Sequence, residues 1–306
     1  MAALSKGEVV IELCVDPSDP QAYQTIQQAV DQAEIYQAPC RILIQAGHYR
    51  ENIKVYCNSL DMVGEGDVTI EGNFSAHDLN EKGEVRGTFQ TATVFLNGKE
   101  IYLENITIMN SAGSDAHAGQ ASALYIEGDK IRLRNCRLEG HQDTLCLGPL
   151  PDNNKDGTPL ESAWLKKTFG QQRVVFENCR ISGTVDFIFG GGSATFIDCQ
   201  IHGKERKSPN YLTAASTKVN QAGFIFKNCQ VTGESPYYLG RPWRSFAKTR
   251  FQNCCFDRQL IAEGWHDWNK LEARQTVCYE EIDCSYAEKP NREDWITVEG
   301  AKVDES

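Results

Sequence analysis

The chain has 306 residues, of which 41% are hydrophobic and 24% charged, so it has enough apolar material for one or two cores and is not a disordered protein. Acidic residues number 42 against 31 basic ones, and the net charge of -11 would repel a nucleic acid, so no nucleic-acid partner is expected. No stretch approaches the roughly 18 consecutive apolar residues that a membrane-spanning helix requires, and no membrane partner is expected.

The first predicted element is a short amphipathic helix. The segment 20–34 begins with proline and places Tyr23, Ile26, Val30 and Ala33 on one helical face. A helix with one apolar face is suited to cover the open end of a solenoid, so we predict a short N-terminal capping helix.

A short pattern then recurs along the chain. Each copy alternates apolar and polar residues, then gives Asn or Asp, Cys, a polar residue and an aliphatic one. The copies are IRLRNCRLEG (131–140), VVFENCRISG (174–183), ATFIDCQIHG (194–203), FIFKNCQVTG (224–233) and the looser TRFQNCCFDR (249–258), with earlier cognates at 60–73 and 101–113. An alternating strand, a turn residue and a second strand, repeated coil by coil, predict an all-β fold, a solenoid of parallel strands.

The twelve cysteines fit this repeat better than they fit a metal site or a disulfide framework. None forms a CxxC pair, and five of them occupy the same position after the Asn or Asp of the repeat. We predict that these thiols form an internal column of small buried side chains, and that the protein needs no metal and no cofactor.

One step of the repeat is much longer than the later ones. The segment 148–170 accounts for the excess between Cys136 and Cys179, and we expect it to leave the coil as a loop. Because this loop departs next to Asp143, it is expected to wall one end of a cleft.

No linker divides the chain, so a single domain over 1–306 is predicted. Its parts would be an N-terminal cap at about 1–40, coils at about 41–265, and a polar C-terminal tail at about 266–306 that packs partly along the coils. Solenoids with capped ends can remain monomeric, and we expect a monomer. The first residues lack a basic start and an apolar run, which favours a cytoplasmic protein, although an exported form trimmed of its signal stays open.

Two aspartates hold equivalent places in successive coils. Asp143 and Asp186 each stand seven residues after their repeat cysteine, so they are expected to stack about 4.8 Å apart. Two carboxylates in register repel, and the pKa of one should rise unless a cation intervenes. Such a pair can divide the work between a nucleophile and a general acid, but a solvated or arginine-paired ladder of acids is equally compatible, with Arg206 as one partner.

Five uncommon strings surround this pair, in the order GHYRENI (47–53), GQASAL (119–124), HQDTL (141–145), VDFIFG (185–190) and YLGRPW (238–243). In this order they resemble the signature blocks of the pectin methylesterases, or pectinesterases. The resemblance spans roughly residues 9–285. It implies a right-handed parallel β-helix, in agreement with the repeat.

The resemblance also implies roles for five residues. Asp186 would be the nucleophile that attacks a galacturonate methyl ester, and Asp143 the general acid and base. Gln120 and Gln142 would stabilise the oxyanion, and Arg241 would hold Asp186 in its ionised form.

Four further residues are candidates for substrate binding. By the same resemblance Trp243, Trp265 and, less directly, Phe189 would present aromatic faces to the sugar rings, although each would also suit a core. His141 stands where the family commonly has an aromatic residue, so it is a candidate for the neighbouring sugar subsite.

The predicted function is therefore removal of methyl esters from galacturonate units of pectin or oligogalacturonides, with methanol released and water as second substrate. An esterase for another esterified sugar and a non-catalytic sugar-binding β-helix protein stay open as alternatives. The loop at 148–170 is expected to restrict the substrate to short, methylated oligogalacturonides.

Overall fold

The computed structural model describes residues 10–303. The strands of the first part are β1 (Ile11–Val15), β2 (Cys40–Arg50), β3 (Ile53–Val55), β4 (Leu60–Gly72), β5 (Val94–Leu96), β6 (Ile101–Asn110), β7 (Leu124–Ile126), β8 (Ile131–Arg134), β9 (Arg137–Glu139), β10 (Leu145–Leu147), β11 (Arg173–Glu177), β12 (Arg180–Gly183) and β13 (Val185–Gly190). The remaining strands are β14 (Ser193–Ile197), β15 (Gln200–Gly203), β16 (Asn210–Ala215), β17 (Phe224–Lys227), β18 (Gln230–Gly233), β19 (Tyr237–Gly240), β20 (Lys248–Gln252), β21 (Cys255–Phe256), β22 (Cys278–Ile282), β23 (Ser285–Tyr286), β24 (Thr297–Glu299) and β25 (Lys302–Val303).

Helices are few and short. They are α1 (Ile26–Tyr36), α2 (Asp115–Ala118) and two 3₁₀ segments, Thr88–Gln90 and Leu271–Gln275. Within residues 10–303, no helix has the length and apolar character to cross a membrane.

The named strands pair in parallel, each with its counterpart in the next coil, and the chain winds as a right-handed parallel β-helix. A seven-stranded sheet, made of β3, β5, β7, β10, β13, β16 and β19, forms one face. The other eighteen strands form a sheet that bends around a corner. The long strands β2, β4 and β6 run through this corner, and β6 pairs with β8 before it and with β9 after it. The predicted fold class is thus confirmed.

The corner between the two rows of the larger sheet is built from left-handed residues. Asn135, Asn178, Asp198 and Asn228 all have φ between 50° and 54°. Asn and Asp tolerate this backbone better than other side-chain-bearing residues, which explains why the repeat has them before each cysteine. The side chains also form a ladder, in which Asn178 Nδ2 donates to Asn135 Oδ1 at 2.7 Å.

The repeat cysteines form the predicted internal column. All five are buried and free, and the column gains a sixth member, Cys284. Next to it runs a stack of phenylalanines, in which Phe196 lies 4.4 Å from Phe226 with the rings 7° from parallel. Identical side chains therefore meet coil after coil, and this contact supplies much of the apolar core.

The N-terminal helix is present, but it begins at Ile26 rather than near residue 20. Thr25 caps it together with Gln28, and Ile26, Ala29, Val30 and Ala33 are buried. Residues ahead of Thr25 instead join the first coil by a parallel bridge between Val15 and Tyr23. The apolar helical face predicted from sequence was therefore correct for Ile26, Val30 and Ala33, and wrong for Tyr23, which precedes the helix.

The coils extend further in both directions than predicted. Strand β1, inside the predicted cap, pairs in register with β2, and strands β22 to β25 continue the larger sheet to Val303. Within the described residues, the predicted end of the coils at about 265 is therefore wrong, because part of the predicted tail packs along the coils as further strands. Asp283 and Cys284 repeat the corner, and Ser285 supplies the polar residue after it. The aromatic Tyr286 stands where most copies have an aliphatic residue, which concealed this copy.

Candidate active site

A row of side chains on the outer surface of the seven-stranded sheet forms the floor of the site. Register pairs Phe95 with Tyr125, Tyr125 with Cys146, Cys146 with Phe189, and Phe189 with Ala214. All five are buried, because loops and the segment after β10 cover them. This explains why β5, β7 and β10 are apolar at every position rather than alternating.

Asp143 and Asp186 lie side by side at the edge of this floor. Strands β10 and β13 pair with Leu145 opposite Ile188, and Asp143 N donates to Val185 O at 3.0 Å. The register predicted from the cysteine spacing is therefore present. Asp143 is 8% exposed and Asp186 7%.

Both aspartates also have unusual backbone conformations. The φ angle is 63° at Asp143 and 49° at Asp186, and a register shift between Val185 and Ile188 adds a bulge next to Asp186. A bulge or a left-handed residue redirects a side chain that would otherwise follow the alternation of the strand. These features turn the two carboxylates toward the same space.

Arg241 holds one of the two carboxylates. Its Nε and Nη2 donate to Asp186 Oδ1 and Oδ2, both at 2.8 Å, in a forked ion pair. The guanidinium lies 4.0 Å from the ring centre of Tyr211 and 3.8 Å from that of Trp268. Two aromatic faces thus fix Arg241 in the geometry of the fork.

The environments of the two acids separate their pKa values. Burial raises the pKa of Asp143 well above its usual range, and the charge of Asp186 raises it further. Burial also raises the pKa of Asp186, but the hydrogen bonds and charge of Arg241 oppose that rise. The pair therefore favours a protonated Asp143 beside an ionised Asp186.

Two glutamines complete the polar wall. Gln120 and Gln142 are half-buried, line the same cleft as the aspartates, and belong to adjacent coils joined by Ala121 N donating to Gln142 O. Within residues 10–303 neither side-chain amide is hydrogen bonded to the protein. Both are therefore available to a ligand oxygen.

The cleft above these groups has a volume of about 570 Å³. Phe189, Trp243 and Trp268 form its aromatic part, with Phe189 packed 5.7 Å from Trp243. A cleft that combines aromatic faces with carboxylates and amides suits a sugar ring, which has apolar faces and polar edges.

Trp265 does not belong to this cleft. It is 3% exposed, stacks on Tyr279 at 4.0 Å, and donates from Nε1 to Glu281 Oε1 at 2.8 Å inside the last coils. Trp268, three residues later with φ of 58°, occupies the cleft instead. The prediction of Trp265 as a sugar platform is wrong because the turn after it reverses which tryptophan faces outward.

His141 is also absent from the residues that line the cleft, and its main chain supports the site. Its carbonyl accepts from Thr184 N at 3.0 Å and from Thr144 Oγ1 at 3.1 Å. The prediction that it forms a sugar subsite therefore has no support in this geometry.

The loop predicted at 148–170 does wall the cleft. Its residues Asn154, Lys155, Asp156 and Leu160 are part of the lining. The loop is anchored by Trp164, which packs on the floor with its ring 5.7 Å from that of Phe95.

Sequence reasoning missed Trp268 and the cleft residues of this loop. Trp268 could have been considered from sequence, because GWHDW contains two tryptophans and either could have been the one in the cleft. No sequence pattern could have identified Lys155, because an irregular loop lacks the periodicity from which the direction of a side chain is predicted.

Together, fold and site define a parallel β-helix protein with a carbohydrate-type cleft built around paired carboxylates. The family model "Pectinesterase" matches residues 12–148 and 168–305, which is most of the chain. The chain belongs to the pectinesterase family. The match omits residues 149–167, which we call the insertion.

Individual relatives agree with this assignment. "Probable pectinesterase/pectinesterase inhibitor 64" of Arabidopsis thaliana is 31% identical over 299 residues, covering 89% of this chain and 45% of its own length. The chain thus spans about half the length of that relative. Among solved structures, "Pectin methylesterase from Carrot" is 28% identical with a TM-score of 0.77, covering 99% of this chain and 90% of its own.

A second structure contains a sugar. It is described as pectin methylesterase in complex with a hexasaccharide, and it is 28% identical with a TM-score of 0.76, covering 94% of this chain and 92% of its own.

Proposed function

We propose that this protein is a pectin methylesterase, a carboxylic ester hydrolase that removes methyl esters from galacturonate units of pectin or oligogalacturonides. The observation that carries the proposal is the buried pair of Asp143 and Asp186, with Arg241 bound to only one of them. Family membership and the hexasaccharide bound to a relative support a pectic substrate.

In the first step, a carboxylate oxygen of Asp186 attacks the carbonyl carbon of the methyl ester. The bond from that carbon to the methoxy oxygen breaks, and the leaving oxygen takes the proton of Asp143 to form methanol. The sugar is then joined to Asp186 as an anhydride, and Asp143 is ionised. Burial of both acids supports this division, since it favours one proton shared between them.

The negative charge that develops on the carbonyl oxygen is stabilised by Gln120 and Gln142. Both residues line the cleft, and within residues 10–303 their side-chain amides make no hydrogen bond to the protein, so their N–H groups can donate to this oxygen. A neutral amide stabilises the oxyanion without changing the charge balance that keeps Asp186 ionised.

In the second step, Asp143 takes a proton from water, and the hydroxide attacks the sugar carbonyl of the anhydride. Asp186 leaves as a carboxylate and returns to the fork of Arg241. The sugar acid releases its proton to solvent, and the enzyme regains its starting state. Phe189, Trp243 and Trp268 hold the sugar rings during both steps.

The test is methanol release from methylated trigalacturonate by the wild type and three variants. Asp186→Asn keeps the left-handed backbone but removes the nucleophile, so activity should vanish. Gln142→Ala removes one oxyanion donor and should lower kcat by about 10²-fold or more. Asp198→Asn, an equivalent change at a left-handed corner outside the cleft, should leave activity unchanged.

Methanol release by Asp186→Asn at the wild-type rate would overturn the assignment of the nucleophile. No methanol from the wild type would overturn the reaction itself. The insertion favours one alternative in that case, an esterase for another esterified sugar, because it adds residues to the cleft that the family model omits. A panel of acetylated sugars tests that alternative. Cytoplasmic localisation and a monomeric state stay predictions.

A further inference from the structure

A histidine fixes the turn that places Trp268 next to Arg241. His266 Nδ1 accepts a hydrogen bond from Trp268 N at 2.8 Å. Trp268 and the following Asn269 have φ of 58° and 56°, a left-handed backbone that a bulky side chain rarely adopts. The bond to His266 is therefore one of the contacts that hold an unfavourable turn in place.

The ring of His266 is itself held by the last coils. Its backbone N donates to Gly240 O at 3.0 Å. The ring meets Tyr211 and Tyr238 edge-on, with ring centres 5.8 and 5.5 Å away, and these two tyrosines stack on each other at 5.3 Å. Turning Nδ1 away from Trp268 would disturb both aromatic contacts.

The hydrogen bond to Trp268 requires a neutral imidazole. Because the backbone N–H of Trp268 is the donor, Nδ1 has to be the unprotonated nitrogen, and the single ring proton lies on Nε2. In the charged form both ring nitrogens carry protons, so Nδ1–H would face another donor. Protonation of His266 therefore removes this contact.

The two neighbours of His266 are also the two aromatic faces of Arg241. The guanidinium lies 3.8 Å from the ring centre of Trp268 and 4.0 Å from that of Tyr211. The same guanidinium binds Asp186 through its fork. The path from His266 to the nucleophile thus has two steps, first Trp268 and then Arg241.

We propose that His266 is a positioning residue that makes the geometry of the nucleophile depend on pH. In its neutral form it holds Trp268 against Arg241, so the guanidinium stays in its fork with Asp186. When His266 is protonated, the turn loses its hydrogen bond, Trp268 leaves the guanidinium and the fork loosens. The new positive charge also repels Arg241.

Other ionisable groups lie on the elements around this ring. They are Tyr211, Tyr238, Arg241, Glu263, Asp267 and Arg274. The adjoining acid, Asp267, already binds Arg274 Nε and Asn269 N, each at 2.8 Å. Within residues 10–303 no carboxylate forms an ion pair with His266, so no such pair offsets the loss of the bond to Trp268.

The first experiment needs no substrate. Nuclear magnetic resonance of protein labelled with ¹⁵N-tryptophan follows the backbone amide of Trp268, which is assigned by its loss in Trp268→Phe. As pH falls from about 8 to about 5, this signal should move in the wild type, because the bond to Nδ1 is lost. In His266→Asn it should stay in place, since the amide oxygen of asparagine accepts where Nδ1 did and does not titrate.

A matched control is His202→Asn. His202 lies on the larger sheet, where its ring is bonded to Thr232 and Glu234. In this variant the Trp268 amide should move with pH as in the wild type. The fork is followed in the same way, through the Nε signal of Arg241 in protein labelled with ¹⁵N-arginine. At about pH 5.5 this signal should lie nearer its pH 8 position in His266→Asn than in the wild type.

The second experiment rests on the proposed function. The kcat/KM for methanol release from methylated trigalacturonate is measured against pH. At about pH 5.5, where most histidine side chains are protonated, His266→Asn should exceed the wild type about three- to tenfold, and at about pH 8 the two should be equal. His202→Asn should follow the wild type at both pH values.

His266→Phe separates the hydrogen bond from the packing of the ring. It keeps an aromatic ring against Tyr211 and Tyr238 but has no acceptor for Trp268 N. A loosened fork opposes the raised pKa of Asp186 less, so the acidic limb of kcat/KM should lie at higher pH than in the wild type. Thermal unfolding checks that the coils of this variant are intact.

Failure of this inference and failure of the proposed function can be told apart. A Trp268 amide that stays in place in the wild type, or moves equally in His266→Asn, overturns the role of His266 whether or not methanol is released. Equal acidic limbs in the wild type and His266→Asn overturn the link to the nucleophile. If the wild type releases no methanol at any pH, the proposed function fails, and the Trp268 and Arg241 signals decide the role of His266.

Discussion

The two aspartates of the cleft have the same register, the same left-handed backbone and similar burial, and they differ in their neighbours. Arg241 binds Asp186 through two hydrogen bonds, whereas it acts on Asp143 through its charge alone, and burial and the charge of Asp186 together keep the pKa of Asp143 well above its usual range. The pairing of the carboxylates was predictable from sequence, because two repeat cysteines stand at equal distances before them. The identity of the cation was not predictable from the repeat, which pointed to Arg206.

The first prediction concerns the pH dependence of the reaction. The acidic limb of kcat/KM reports ionisation of Asp186, so activity rises as pH rises through its pKa. Arg241→Gln removes the group that opposes the rise of this pKa, and the limb should move to higher pH by about 1–3 units. Arg241→Lys keeps a charge without the fork and should move the limb less. A uniform loss of rate with an unmoved limb would contradict this role.

The second prediction separates the two tryptophans of GWHDW. Trp268→Ala should raise KM and leave thermal stability nearly unchanged, because the ring lies in the cleft. Trp265→Ala should lower the free energy of unfolding by about 3–5 kcal/mol, because it opens a core cavity and removes the hydrogen bond to Glu281. Steady-state kinetics and urea unfolding distinguish them, and the opposite pattern would restore Trp265 as the sugar platform.

At the scale of elements, the coils followed from sequence and the insertion did not. Each coil has the same residue types at fixed positions, so Asn178 and Cys179 predict the same kind of corner as Asn135 and Cys136. The insertion has no period, and its placement depends on contacts with distant coils. The backbone carbonyl of Trp164 accepts a hydrogen bond from the hydroxyl of Tyr56 at 2.9 Å, and Lys54 Nζ lies 4.4 Å from the ring centre of Trp164.

The third prediction tests whether the insertion limits substrate length. If the insertion walls one end of the cleft, methylated trimers to hexamers should lose methanol faster per ester than high-molecular-weight pectin. Trp164→Ala removes the anchor on Phe95, so the insertion should loosen and this difference should narrow. Thermal unfolding is the control, since the coils should melt as in the wild type. Equal rates per ester on both substrates in the wild type would contradict the hypothesis.

At the scale of the whole molecule, the regular coils stabilise the fold, whereas the buried acids of the site lower its stability. The corner ladder, the cysteine column and the stacked phenylalanines each repeat through several coils, so the scaffold is regular and densely packed. The cleft departs from that regularity by burying two acids at left-handed positions. The regular parts and the register of the two acids were predictable from the repeat, whereas the roles of these acids were indicated only by the resemblance.

The fourth prediction follows from the raised pKa of Asp143. The folded protein holds this proton at a pH where the unfolded chain releases it, so the contribution of Asp143 to stability falls as pH rises above its unfolded pKa. Asp143→Asn removes this loss and should raise the free energy of unfolding by about 1 kcal/mol at pH 7. The difference should shrink near pH 3, about one unit below the ordinary aspartate pKa of about 3.9, where the carboxyl is largely protonated in both states. Urea unfolding at both pH values measures it, and a less stable variant at pH 7 would contradict the prediction.

The central claim is that Asp186 forms a covalent intermediate and that Asp143 moves the protons. A nitrophenyl ester of galacturonate tests it, because nitrophenolate leaves without the help of an acid. Asp143→Asn should therefore still be acylated, but it lacks the base that activates water for the second step. Rapid mixing should give a burst of about one nitrophenolate per enzyme followed by slow release, with no burst in Asp186→Asn. Linear release without a burst from Asp143→Asn, or an equal burst from Asp186→Asn, would contradict the account.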